Sequence, residues 1–134
     1  MQNFSLNSRL QEDCTVLLER DEISFLLHQN AEVFWFILVP HTQEIEFHEL
    51  DQAKQQQLLG LINRLSAFIQ NSFNIDKLNI AMIGNVVSQM HIHVVGRSLN
   101  DAYWPDVVWG RSFEKTYTAQ QVEEIQQQLI AFLK

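Results

Sequence analysis

Cysteine is almost absent from this chain: Cys14 stands alone among 134 residues. One thiol cannot form an intramolecular disulfide framework, nor supply a cysteine-based zinc cluster, and a reducing compartment is the expected setting. Proline and glycine are scarce as well, two and four in number, and no Pro/Gly/Ser-rich linker, repeat or composition shift breaks the chain. Positive charge is the third shortage. Nine Lys and Arg against sixteen Asp and Glu leave a formal charge of −7, which argues against a nucleic-acid-coating surface, because such affinity rests on neutralising phosphates. A small phosphorylated ligand stays possible, since a few local cations and backbone N–H groups can hold one phosphate. The opening "MQNFSLNSRLQEDC" has neither the basic start nor the apolar stretch of a signal peptide. No run approaches the roughly 20 apolar residues of a membrane span. These features predict a soluble, cytoplasmic protein without membrane or nucleic-acid partners.

What is present is enough for a core. The 46% hydrophobic content is ordinary, and a chain of this length buries roughly two-thirds of its unfolded surface, so one domain over residues 1–134 is expected. "TVLLER" and "ISFLLHQ", separated by Asp21 and Glu22, read as a hairpin. "VFWFILVP" is a third strand, ended by Pro40. From about Asp51 to Phe73 the apolar residues Leu58, Leu61, Ile62, Leu65, Phe68 and Ile69 recur at helical spacing. "KLNIAMIG" and "VVSQMHIHVV" return to strand character. A last helix starts near Thr118, which has capping-box spacing to Gln121, and carries Val122, Ile125, Leu129 and Phe132 or Leu133 on its apolar face. The order predicts an α+β fold: an antiparallel sheet of about five strands, one long central helix and a C-terminal helix, with helices on one side.

Within "SQMHIHVVGR" the period of two sorts the side chains. Met90, Ile92 and Val94 should face the core, and Gln89, His91 and His93 the other surface. Three readings of that polar row stay open from the residues alone. The histidines are ordinary surface residues; or they are two ligands of a metal completed by His28, His41, His48 or a carboxylate; or an imidazole acts as acid, base or nucleophile. The Gly84–Asn85 turn before the strand offers backbone N–H donors. Arg97 shares the histidines' parity and could add charge, though a surface arginine reads the same way.

"GNVVSQMHIHVVGR" resembles the signature of the histidine-triad (HIT) family, in which His, apolar, His, apolar, His precedes two apolar residues. In register, the triad falls on Gln89, His91 and His93, followed by Val94 and Val95. "FILVP", "KLNIAMIG" and "DAYWPDVVWG" are similar to segments of a bacterial branch regarded as diadenosine polyphosphate hydrolases, and the likeness runs from about Leu6 to Gly110. The resemblance implies a HIT-like fold and a nucleotide hydrolase or transferase acting at an α-phosphate. His91 would form a covalent nucleotidyl-histidine, with His93 beside the scissile phosphate. Gln89 replaces the first histidine and cannot carry charge or pass a proton, which leaves a weakly catalytic nucleotide-binding or sensing module as the alternative. Nucleoside phosphoramidates are the second substrate class.

The resemblance further implies a homodimer and no metal or other cofactor for the chemistry. Activity should then survive chelation and fall below about pH 6, where a free imidazole takes up a proton. Asn79 matches an asparagine of the family's preceding strand, with a structural hydrogen bond as its alternative. Asn30, or its neighbour Gln29, falls near a ribose-binding position, where turn chemistry is the other explanation. Trp104 and Trp109 in the tail either cover the cleft, meet a second subunit or pack on the core.

Overall fold

In the computed structural model, which describes residues 4–134, Asp21 and Glu22 both take positive φ, 54° and 63°. That is the backbone of the two-residue turn whose twist suits a hairpin. It joins β1 (Cys14–Arg20) to β2 (Ile23–His28) as the predicted hairpin, with Arg20 opposite Ile23. With β3 (Phe34–Pro40), β4 (Lys77–Ala81) and β5 (Ile92–Arg97) they form one antiparallel sheet of order β1-β2-β3-β5-β4.

The central strands are buried on both faces, which is why they read as continuous apolar runs. On one face Phe25, Leu27, Phe36, Leu38, Ile92 and Val94 meet α2 (Gln52–Ser72) and α3 (Ala119–Phe132). The α2 contribution is the predicted stripe, Leu58, Ile62, Leu65, Phe68 and Ile69, with Leu61 at its margin. Asp51 caps α2 by accepting from the Lys54 N–H, and Thr118 and Gln121 form the full capping box of α3. Gly96 leaves room on β5 for the residues packed over it: a Cβ there would lie 2.7 Å from the Ile69 side chain of α2 and 3.0 Å from that of Ile75.

Three details differ from the sequence reading. Helices do not sit on one side only, because α1 (Ser8–Asp13), capped by Asn7, sets Leu10 against Leu26, Trp35, Ile37 and Val95 on the opposite face. A short 3-10 turn at Phe47–Glu49 precedes α2. The fifth strand begins at Ile92, not at Val86, and β4 stops at Ala81, opposite His93. The pairing of β3 with β5 stops at Leu38, opposite Ile92, although β3 itself runs on to Pro40 against β2, and Gly84, at φ 70°, turns the chain away. Residues 86–91 therefore approach β5 outside the ladder. No helix among the described residues is long and apolar enough to cross a membrane.

Candidate nucleotide site

The predicted parity holds at the start of β5. Met90, Ile92 and Val94 belong to the α2-side core, while His91 and His93 lie against the opposite face. They are not surface histidines, being 8% and 6% exposed. Burial forces each ring nitrogen to find a partner or face a cavity.

The partners found are of opposite kinds. His91 places Nδ1 2.7 Å from the backbone carbonyl of Gln89. A carbonyl can only accept, so Nδ1 carries the proton and Nε2 keeps its lone pair. His93 accepts at Nδ1 from the indole N–H of Trp35, at 3.0 Å, so its proton sits on Nε2. Burial, then the nearby His91 and His93's other neighbour His28, push the His93 pKa down to about 3. The two rings, 4.8 Å apart and inclined at 71°, thus carry their hydrogen-bonded protons on opposite nitrogens, Nδ1 of His91 and Nε2 of His93.

Both line a cavity of about 440 Å³, within the size range of small-molecule sites. One wall is aromatic. His28 stacks on Trp35 at 4.0 Å, and Trp109 stands edge-on to both Trp35 and His93. His28 accepts from the Asn30 N–H at Nδ1, and burial lowers its pKa. The remaining walls come from Arg9, Leu10 and Asp13 of α1, Cys14, and the loop from Ile83 to Val87. The Cys14 thiol is pushed up to about 12 by burial and by Asp13, so it stays protonated and unreactive. A second cavity of about 350 Å³ shares His91 and Gly84 with the first and is bounded by Glu46, His48 and Ser88.

The other expected site residues divide. Gly84 and Asn85 line the larger cavity, Gly84 at its junction with the second. Gln89 borders the second cavity, but its amide turns away from His91 toward Ser5 and Asn7. Arg97, Asn79 and Asn30 are elsewhere. The Arg97 guanidinium is 1% exposed, doubly bonded to Asp101 at 2.8 and 3.1 Å, and donates to Asn79 Oδ1 at 2.9 Å. It is a buried ion pair and not the surface arginine allowed by the sequence. Burial alone would raise the Asp101 carboxyl, yet the bonds from Arg97 and the Tyr103 and Ser98 amides together hold it below its ordinary value. Parity was right for Arg97, but four residues along a strand is about 13 Å. Asn30, also 1% exposed, gives its amide to Tyr103 Oη and accepts from the Glu32 N–H, which is the turn chemistry. Trp104 lies over Arg97, and Trp109 is the tail residue that reaches the cavity.

Arg9 was missed and Trp35 was not singled out, whereas His28 and His48, allowed by the sequence as metal ligands, border the two cavities. An aromatic in an apolar strand reads as core; only its i, i+2 parity with Ile37, across from His93, marked Trp35 as facing the histidine side. Among the described residues no three His, Cys, Asp or Glu side chains group to hold a metal ion.

The model of the HIT domain family matches residues 9–100. A histidine triad protein from Bradyrhizobium japonicum superposes with a TM-score of 0.92 at 34% identity, covering 98% of each chain. One from Marinobacter aquaeolei gives 0.90 at 35% identity over 97% of this chain and 96% of its own. One from Sinorhizobium meliloti gives 0.90 at 27% over 96% of each. No curated protein sequence matches the chain.

Proposed function

Because this chain belongs to the histidine-triad (HIT) family, we propose that it is a nucleotide hydrolase or transferase breaking a bond at the α-phosphate of a nucleotide conjugate. The observation that carries this reading is the opposite tautomers of His91 and His93 over one cavity. In the proposed reaction the Nε2 lone pair of His91 attacks the α-phosphorus. An N–P bond forms, the bond to the leaving group breaks with its electron pair departing on that group, and a proton from solvent completes it. The Nδ1–H bond to Gln89 O steadies the imidazole as it gains positive charge. His93 donates from Nε2 to a non-bridging oxygen, where charge builds in the transition state. The Gly84 and Asn85 amides are further donors. Water then cleaves the N–P bond, releasing the nucleotide and restoring His91. The nucleoside would occupy the aromatic side, against His28, Trp35 and Trp109.

A dinucleoside polyphosphate is the first substrate to try. A phosphoramidate is the second, favoured by one observation: among the described residues no Lys or Arg borders the second cavity, which is lined by Glu46, so an amine suits it better than a polyphosphate anion. The test is release of AMP from diadenosine tetraphosphate and adenosine phosphoramidate, with and without a chelator, beside a thermal shift with AMP. Turnover that survives chelation supports the hydrolase. Stabilisation by AMP without turnover of either conjugate selects the binding module instead.

We propose a homodimer as well. β4 is an edge of the sheet, and Ile80, Met82 and Ile83 at that edge are 50%, 49% and 43% exposed. A monomer by light scattering at micromolar concentration would refute it.

A further inference from the structure

Gln89 is tied at both ends. Its side-chain Oε1 accepts from the Asn7 N–H at 2.9 Å, and its Nε2 donates to the Ser5 carbonyl at 3.0 Å. Its main-chain carbonyl accepts from His91 Nδ1. The first pair matches a backbone N–H and C=O two residues apart, as a neighbouring strand would. A primary amide suits this task because its donor and acceptor lie side by side in one plane. An imidazole presents its two nitrogens on divergent sides of the ring and cannot serve both partners.

The pairing has work to do here. Residues 86–91 lie outside the strand ladder, so no strand neighbour fixes the carbonyl that orients His91. The segment that Gln89 grips is itself anchored. Phe4 stacks on His41 at 4.0 Å, and His41 Nε2 lies 2.8 Å from Ser24 Oγ. Asn7 caps α1 through the Arg9 N–H, and α1 carries Arg9, Leu10 and Asp13 into the cavity wall.

We propose that Gln89 is a positioning residue: its amide clasps residues 5–7, and the clasp holds the carbonyl that fixes the His91 tautomer. Only the kinetic consequence rests on the proposed function; the tautomer does not.

The test is nitrogen-15 NMR of the His91 imidazole in wild type, Gln89→Ala and Gln89→His, with kcat and KM measured alongside. Wild type should show one tautomer, protonated at Nδ1. Both variants should show a mixture, with kcat lowered about tenfold and KM changed less than about twofold, as misplacement of an attacking atom predicts. Asn7→Pro removes the N–H taken by Oε1 at a φ of −52° that proline accepts, and Asn7→Ala removes only the cap. A mixed tautomer in the first but not the second supports the clasp even if the Gln89 variants fail to fold. An unchanged His91 signature in Gln89→Ala, or in Asn7→Pro, overturns it. If no conjugate is turned over by wild type, the proposed function fails while the NMR comparison still decides the clasp.

Discussion

The indole N–H of Trp35 donates to Nδ1 of His93 across 3.0 Å, and that bond leaves His93 a donor at Nε2. The same indole carries His28 stacked on its face. One side chain therefore shapes the aromatic wall and sets the tautomer of His93. Trp35→Phe keeps a ring against His28 but removes the N–H. We expect a stability loss of about 1 kcal/mol, a second tautomer of His93 by NMR, and a kcat about tenfold lower, as for the loss of an aligned donor.

Stability should fall with acid because of His93. The unfolded chain takes up a proton at this residue near pH 6.5, whereas the folded chain resists until about pH 3. Between those values the unfolded state binds more protons, so lowering the pH favours unfolding by up to about 1.4 kcal/mol per pH unit for each such group. His28, lowered by burial, acts in the same direction. Above pH 7 both groups are neutral in either state and the effect vanishes. Thermal unfolding from pH 7 to pH 4 measures it, and His93→Asn should flatten the slope.

Asp101→Asn should be among the most damaging single changes, without touching the site. It leaves the Arg97 guanidinium buried against a neutral amide, and breaking such a pair costs about 3–5 kcal/mol. Denaturant unfolding checks the loss. AMP affinity measured well below the melting point should match wild type, since Arg97 borders neither of the two cavities that His91 lines.

Gly96→Ala tests the packing of α2 on β5. The added methyl meets the side chains of Ile69, Ile75 and Phe34 at 2.7, 3.0 and 3.3 Å, so these packed side chains must shift to admit it. A loss of about 1–3 kcal/mol is expected.

Much of the architecture was legible because it rests on local period. Alternation alone put Ile92 and Val94 in one core and His93 on the other face, and helical spacing picked out the α2 stripe. What escaped depends on partners distant in sequence. "VVSQM" has strand-like residues, but whether it pairs depends on segments far off in sequence: β4 stops at Ala81, and the pairing of β3 with β5 ends at Leu38. The Gln89 amide finds its partners 82 and 84 residues away, which no spacing rule reports. Arg97 stands away from the cavity because parity gives a side chain's face and not its position along the strand, and Asn79 makes the structural hydrogen bond held as its alternative. Trp35 was hidden by its own suitability for the core: nothing in "VFWFILVP" says that one aromatic there is a hydrogen-bond donor to a histidine 58 positions on.

The central claim, nucleophilic attack by His91, is tested most directly by intact-protein mass spectrometry. Wild type and His91→Ala are quenched after brief incubation with diadenosine tetraphosphate or adenosine phosphoramidate. The account predicts a transient gain of one AMP moiety on wild type and none on His91→Ala. An equal adduct on His91→Ala, or AMP release by His91→Ala at the wild-type rate, would contradict it.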